Sequence, residues 1–241
     1  MPGSPIQNPG FAYSQRCNPV STVPTGSPLE ICMPTEPTGR RPGRPRAGTP
    51  RLTGEDTAAE ILDAAAELFT TEGFGSVTTR RLAEAAGIRQ ATMYHYFPNK
   101  KAILHRLLLA TVEHSLDLAR ELLDGVTDGS ALQATGMLRQ LARQDAELLF
   151  SDTWNVASLY STPEVNDRSF TEFHQLRAEL RAAYTELGRR VLGADDPLLL
   201  EVPFHIVESV VTLRSTLTIT PDDVGRLTDA VAEAAVSVLR R

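Results

Sequence analysis

Residues 78–101 read TTRRLAEAAGIRQATMYHYFPNKK, and this stretch decides the fold of the chain. Apolar side chains recur at helical spacing after Thr79, whose hydroxyl is predicted to cap the first turn of a helix. Gly87 supplies the left-handed backbone that ends a helix in a sharp turn. A second helix is predicted at about 90–96, since Pro98 breaks the pattern just beyond it. A helix, a glycine turn and a second helix together predict a helix-turn-helix unit.

The predicted surface of this unit carries side chains of the kind that contact with DNA requires. Phosphates are bound by cations and by hydroxyl or amide donors, and base edges by forked donors such as Arg and Gln. The alternative is a helical hairpin with a mixed surface, because a glycine turn alone is a weak signal. The candidate contact residues are Arg80, Arg81, Gln90, Thr92, Tyr94, His95, Tyr96, Lys100 and Lys101.

The segment resembles the N-terminal domain of the TetR family of bacterial transcriptional repressors. That family has an amphipathic first helix, a glycine-aromatic turn, T-T-x-x-x-[IL]-A-x-x-A-G-[VI], a recognition helix ending Y-x-[YH]-F, and a lysine that opens a long helix. This chain departs from the pattern at Arg89, where Ser or Thr is usual, which predicts an extra DNA contact or altered capping. The matching residues are Gly73, Phe74, Thr78, Thr79, Leu82, Ala83, Ala86, Gly87, Ile88, Tyr94, Tyr96, Phe97 and Lys100.

The resemblance implies two classes of DNA contact. The residues expected to read base edges are Arg80 and Gln90, with Thr92 and His95 beside them. The residues at phosphate-contacting positions are Thr79, Tyr94, Tyr96 and Lys100. The resemblance also implies a homodimer that places one recognition helix of each subunit in a major groove of a pseudo-palindromic, double-stranded operator.

Charge is distributed unevenly along the chain. The formal net charge of −6 argues against a generally basic nucleic-acid coat. Residues 1–50 carry a net charge of +3, residues 51–101 carry −1 and residues 102–241 carry −8. This asymmetry is typical of a protein that presents one end to DNA. We therefore predict a disordered extension at 1–50, a TetR-type helix-turn-helix domain at 51–101, and a helical effector-binding and dimerisation domain at 102–241.

The N-terminal extension is rich in Pro, Gly, Ser and Thr and has no sustained apolar period, so we predict disorder. Two interpretations are open for part of this extension. One is a flexible leader without a role, and the other is an artefact of start-site choice, with Met33 as the true initiator. Residues 40–51, RRPGRPRAGTPR, form an Arg-rich arm whose Gly-Arg-Pro core resembles an AT-hook. Arg44 and Arg46 are expected to contact the minor groove or phosphates. The alternative is a solvated basic linker.

Cysteine usage and hydropathy indicate the compartment. Cys17 and Cys32 both lie in the extension, so no disulfide framework is implied. No apolar signal region follows Met1, and no run of about 18 apolar residues occurs. We therefore expect a soluble, cytoplasmic protein with no membrane partner.

Helical periodicity predicts an all-α chain of about nine helices, the number that the resemblance implies. The first spans about 54–72 and buries a stripe of apolar side chains: Ile61, Leu62, Ala65, Leu68 and Phe69. The second and third form the helix-turn-helix. The remaining six are predicted at about 100–123, with Asn99 as its cap, and at 131–150, 153–161, 165–192, 197–218 and 221–239.

The last two predicted helices differ in their apolar faces. Residues 198–217 are apolar nearly all round, so this helix requires cover on both sides, whereas residues 221–239 keep one stripe that includes Val231. The resemblance implies that both helices pair with their copies in a four-helix dimer interface. The alternative is burial within a single chain.

One carboxylate interrupts an apolar helical face. Asp145 lies between Leu141 and Leu148 on that face, where an ionised group needs a partner. One explanation is a salt bridge to an arginine of a neighbouring helix. The other is an effector pocket for a small, partly aromatic compound that carries a hydroxyl or an amine. The candidate ligand-binding residues are Asp145, Trp154, Tyr184 and His205.

Catalysis is not indicated by any motif. The chain has no Gly-x-Ser-x-Gly elbow, phosphate loop or His-Glu-x-x-His pair. His205 and Glu208 are helical neighbours, but two groups make a poor metal site without a third ligand. We predict a ligand-responsive transcriptional regulator that acts as a repressor, with no catalytic residue, metal or cofactor. The alternatives are an activator of the same family and an architectural protein that binds DNA through the Arg-rich arm.

Overall fold

The computed structural model describes residues 54–125 and 129–240, so the Arg-rich arm with Arg44 and Arg46 lies outside the described residues. Within these ranges the fold is all-α. We call α1–α3 the head and α4–α8 the body. The eight α-helices are α1 (Gly54–Leu68), α2 (Thr79–Ala85), α3 (Gln90–Tyr96), α4 (Lys100–Asp124), α5 (Ala131–Ser151), α6 (Thr171–Leu192), α7 (Pro197–Thr216) and α8 (Pro221–Ser237).

The ends of several predicted helices are more tightly or more loosely wound than an α-helix. The first helix continues past α1 as a π-helical turn, Phe69–Gly73. The predicted helix at 153–161 is the 3₁₀ helix Val156–Ser161, which brings the helices of the described chain to the expected nine. The helix predicted from 165 begins with two 3₁₀ turns, Pro163–Asn166 and Arg168–Phe170, before α6.

The caps of the head helices follow the predicted pattern with one shift. The side chain of Thr78, not of Thr79, caps α2 by accepting from the Arg81 amide at 3.1 Å. Thr79 is therefore the first helical residue, and its hydroxyl remains available to other side chains. Gly87 has φ of 66°, the left-handed value that the turn between α2 and α3 requires. Asn99 caps α4 by accepting from the Ala102 amide at 2.9 Å.

The core of the head is formed by the predicted stripe of α1. Ile61, Ala65, Leu68 and Phe69 are all buried. The ring of Phe69 meets Phe74 edge to face, with centroids 4.9 Å apart. Burial of these side chains holds α1 against α2 and α4.

The head and body share α4, since this helix starts in the head and runs through the body. The predicted division at residue 101 therefore falls in the first turn of a continuous helix. In the body, α4 packs against α6, and α5 packs most extensively against α8. None of the helices in the described ranges is long and apolar enough to cross a membrane.

The last two helices each have one buried and one exposed face. On α7, Phe204, Val207 and Val210 point into the core, whereas Leu198 is 85% exposed. On α8, the predicted stripe is buried against α5 inside the same chain, and Val231 is only 8% exposed. The apolar stripe of α8 is thus covered within a single chain and does not require a dimer partner. The face that remains open on the two helices is formed by Leu198, His205, Ser209, Thr212, Ala230 and Ala234.

Candidate nucleic-acid interface and interior polar cluster

The helix α3 presents a polar face outward because its apolar anchor, Met93, is fully buried. Successive helical residues lie about 100° apart around the axis, so the neighbours Thr92 and Tyr94 are turned away from the core. Tyr96 is half-buried at the end of the helix. The predicted contact residues that are exposed on α3 are Gln90, Thr92, Tyr94 and His95.

Gln90, Thr79 and Tyr94 form one hydrogen-bonded network on this face. Gln90 Nε2 donates to Thr79 Oγ1 at 2.9 Å and lies 3.4 Å from the Tyr94 hydroxyl. The hydroxyls of Thr79 and Tyr94 are 3.0 Å apart. The network joins the predicted base reader to two predicted phosphate contacts. It fixes the amide of Gln90 and leaves its carbonyl oxygen to accept from a base edge.

Three arginines lie on α2 or at the start of α3, the two helices that carry this network. Arg80 Nε donates to Glu84 Oε1 at 2.9 Å, an exposed pair that costs little to exchange for a DNA contact. Arg81, also on α2, pairs with Glu72 of the π-helical turn at 3.3 Å. Arg89 occupies the N-cap position of α3, and its side chain makes no capping hydrogen bond. Arg89 therefore provides no side-chain cap and places an exposed cation at the start of the predicted recognition helix.

Lys100 is engaged inside the head. Its ammonium donates to the carbonyls of Phe74 at 2.8 Å, Gly75 at 3.3 Å and Val77 at 3.0 Å. It also lies 4.4 Å from the centroid of the Phe74 ring. A lysine has three N–H donors, and all three are used here. This geometry favours a structural role, holding the turn before α2 against α4, over the phosphate contact predicted for Lys100.

We therefore expect Lys100→Met to destabilise the protein by roughly 1–3 kcal/mol, because three carbonyls lose a charged donor. Urea denaturation monitored by circular dichroism measures this loss. Lys101→Met is the matched control, since the ammonium of Lys101 is engaged in an exposed pair with Asp167 at 2.9 Å. The control should change stability by less than about 1 kcal/mol. If both variants are equally stable and only Lys100→Met binds DNA more weakly, Lys100 contacts phosphate instead.

A cluster of polar side chains lies inside the body around Asp145, which is 5% exposed. Ser115 Oγ donates to Asp145 Oδ1 and the Tyr184 hydroxyl donates to Oδ2, each at 2.9 Å. No salt bridge to Asp145 occurs in the described part of the chain, so the predicted arginine partner is replaced by two hydroxyls. Burial raises the pKa of Asp145 to about 6, although both hydrogen bonds oppose the increase.

An ion pair from two further helices completes this cluster. Arg177 on α6 pairs with Glu208 on α7. The guanidinium lies 4.9 Å from the centroid of the Tyr160 ring and 5.5 Å from that of Phe204. Its Nε is buried and has no hydrogen-bond partner among the residues that the structure describes. The charge of Glu208 raises the pKa of Asp145 and that of Arg177 lowers it, so the pair and the carboxylate are electrostatically linked.

Only two of the four predicted pocket residues meet in this cluster. Asp145 and Tyr184 are in contact, but His205 is exposed on the outer face of α7. Its neighbour Phe204 points inward, and successive helical residues lie about 100° apart around the axis. Trp154 lies where the body meets the head, with Nε1 3.2 Å from Asp63 Oδ1. The four residues therefore do not converge on one site in this structure.

Sequence reasoning missed Ser115, Tyr160 and Arg177 as members of the interior cluster. A signal was present for the first, because two hydroxyl residues, Thr111 and Ser115, interrupt the apolar face of α4. The Thr111 hydroxyl lies 2.5 Å from that of Tyr160. Within residues 54–125 and 129–240, no group of three or more His, Cys, Asp or Glu side chains is arranged to hold a metal ion.

Comparison with known proteins agrees with the geometry of the head. Residues 61–107 match the family described as bacterial regulatory proteins, tetR family. The crystal structure of Mycobacterium smegmatis AmtR is 40% identical, with a TM-score of 0.70 over 81% of this chain and 89% of that chain. The HTH-type transcriptional regulator EthR of Mycolicibacterium smegmatis is 40% identical over 72 residues, which are 30% of each chain.

A further relative is the HTH-type transcriptional repressor KstR2 of Rhodococcus jostii, 29% identical over 56% of this chain. The matches cover only 30% to 63% of the lengths of these curated relatives. The names of the relatives describe DNA-binding regulators and not enzymes. The head matches the family, and the similarity to AmtR extends over most of the chain. This chain therefore belongs to the TetR family of bacterial transcriptional regulators.

Proposed function

We propose that the protein is a homodimeric repressor that binds a pseudo-palindromic operator and is released from it by a small molecule. The observation that carries the proposal is the outward face of α3, where Gln90 is held by Thr79 and Tyr94. Two exposed cations accompany it, Arg80 on α2 and Arg89 at the start of α3. A helix of this size fits a major groove, where forked donors and amides distinguish base pairs. The name of KstR2 supports repression over activation.

Homodimerisation is supported by the open face of α7 and α8. Small and apolar side chains are exposed there, including Leu198 on α7 and Ala230 and Ala234 on α8. Exposed small residues four positions apart let a second helix approach closely. A second copy of the chain seated on this face gives a four-helix interface and sets the distance between the two α3 helices.

Release by an effector is supported by the interior cluster. Asp145 and Tyr184 offer an acceptor and a hydroxyl, and the Arg177 guanidinium offers a buried N–H that has no partner. A small molecule that hydrogen-bonds to Asp145 competes with the hydroxyl of Ser115 on α4. Since Lys100 connects α4 to the head, a displacement of α4 would move the head and change the distance between the two recognition helices. Two heads that no longer match their grooves bind the operator more weakly.

The test of this function is selection of bound sequences from a random DNA pool, followed by a search for compounds that release the selected sequence. A two-fold-related pair of half-sites is expected, with release by a compound small enough for the body. Binding without sequence preference, at any salt concentration, contradicts the proposal and favours an architectural protein that uses the Arg-rich arm.

We expect Arg80→Ala to weaken operator binding by roughly 1–3 kcal/mol per contact and to relax the preference at one base pair, because a forked donor is lost. Arg89→Ala should weaken all sequences alike and reduce the slope of log affinity against log salt by about one. Binding titrations against single-base operator variants at several salt concentrations separate the two effects. Arg81→Ala is the matched control from the same helix. Identical behaviour of the Arg80 and Arg89 variants contradicts this division of roles.

A further inference from the structure

A groove separates the head from the body where α1 faces α4 and the segment that follows α5. Its volume is about 250 Å³. Leu62 and Ala66 of α1, Leu107 of α4 and Val156 form its apolar part, and Asp63, Asp152 and Trp154 supply its polar and aromatic part. We call it the head–body groove. Thr111 of α4 also lines it and contacts Tyr160 of the interior cluster, but Asp145, Tyr184 and Arg177 do not line it. The groove has no role in the function proposed above.

The charge of the head–body groove is negative. Among the described residues that line it, two are aspartates and none is lysine, arginine or histidine. Neither carboxylate forms a salt bridge in the described part of the chain. Burial raises the pKa of the Asp152 carboxyl, and the charge of Arg214 only partly opposes this, because its guanidinium donates to the backbone carbonyls of Leu149 and Asp152. Asp63 and Asp152 are both exposed, so a cation that enters the groove can reach either carboxylate and favours its charged form.

Trp154 gives this groove a second feature that favours a cation. Its Nε1 donates to Asp63 Oδ1 at 3.2 Å, so the hydrogen bond ties the indole to one of the two carboxylates. The face of an indole attracts ammonium groups, and the attraction grows where water is partly excluded. The apolar side chains of Leu62, Ala66 and Leu107 complement an uncharged hydrocarbon or aromatic portion attached to the cation.

We propose that the head–body groove binds a small organic ammonium ion, with its charge at Asp63, Asp152 and Trp154 and its apolar portion against α1 and α4. Such a ligand touches the head through α1 and the body through Trp154. It therefore favours the one arrangement of head and body in which these groups converge, by as much as its affinity differs between arrangements. The size of the groove limits the ligand to a single ring or a short chain.

The chain contains a single tryptophan, so intrinsic fluorescence reports on Trp154 alone. We would titrate the full-length protein at pH 7 with phenethylammonium, with the neutral 2-phenylethanol and with the anionic 3-phenylpropionate, following both fluorescence and heat. The ammonium compound should give a saturable signal. The alcohol should bind about ten-fold more weakly, because it lacks the ionic and cation–π contributions, and the anion should not bind.

Substitutions test whether the ammonium group binds at the proposed carboxylates. Asp63→Asn and Asp152→Asn should each weaken the binding of phenethylammonium by about five-fold or more, and Asp63→Asn keeps an acceptor for the indole N–H. Asp117→Asn on the exposed face of α4 is the matched control and should bind as the unchanged protein does. Equal binding of amine and alcohol, absence of saturation, or equal loss in the control overturns the proposal. None of these results depends on operator binding, so they test the groove independently of the proposed repressor function.

Discussion

Replacing Ala234 by glutamate should convert the protein into a folded monomer that has lost most of its operator affinity. Ala234 is exposed on α8, so the variant chain buries no new charge within itself, and glutamate favours a helix. In the proposed dimer this position faces a second copy, where a desolvated carboxylate without a partner is costly. A monomer binds one half-site at a time, so its affinity for the operator should be lower by a factor of about 10² or more.

Sedimentation velocity measures the assembly, circular dichroism the fold, and operator titration the affinity of this variant. Ala182→Glu, the same change at an exposed position of α6, is the control and should remain a dimer. Val231→Glu is a poor probe of the interface, because Val231 is buried against α5 and the charge would unfold the chain itself. An Ala234→Glu protein that sediments as a dimer places the interface elsewhere.

The second large effect is expected for Asp145→Asn, and it concerns the dependence of stability on pH. In the folded protein, burial raises the pKa of Asp145 from 3.8 to about 6. The folded state therefore binds the proton more tightly than the unfolded state. The stability that this group contributes is fully present below about pH 4 and is lost as the pH rises through about 6. A pKa difference of about 2 corresponds to roughly 3 kcal/mol.

Asparagine does not ionise, so the variant should not lose this stability as the pH rises. Its amide accepts from one hydroxyl and donates to the other, which preserves the contacts with Ser115 and Tyr184. Between pH 4.5 and pH 8, the free energy of unfolding of the variant relative to the unchanged protein should rise by about 2 kcal/mol. Urea titrations at both pH values measure the difference in the free energy of unfolding between the two proteins. The contributions of the other titrating groups cancel in this difference.

Tyr184→Phe is the control for the hydrogen bonds, because it removes a donor but leaves the carboxyl group able to ionise. A constant difference between Asp145→Asn and the unchanged protein across this range means that Asp145 keeps an ordinary pKa. If Asp145 also binds the effector, Asp145→Asn should leave operator binding intact and raise the effector concentration needed for release. Unchanged release with the expected pH effect assigns Asp145 to stability alone.

Local patterns in the sequence were sufficient to predict the architecture of the head. The turn at Gly87, the cap at Asn99 and the apolar stripe of α1 all appear as expected. These features depend on residues within one or two turns of each other, so spacing alone determines them. The shift of the cap from Thr79 to Thr78 is a difference of one residue between two adjacent threonines, which spacing does not resolve.

Tertiary packing decided the roles of the polar residues. Lys100 reaches carbonyls 23 to 26 positions earlier in the chain, and Asp145 on α5 meets hydroxyls from α4 and α6. Trp154 and His205 were placed apart because the first follows the end of α5 at the head–body groove and the second faces outward on α7. The sequence by itself determined which residues share a helical face. The rotation and distance at which helices pack decided what each face meets, since these depend on side chains from several helices at once.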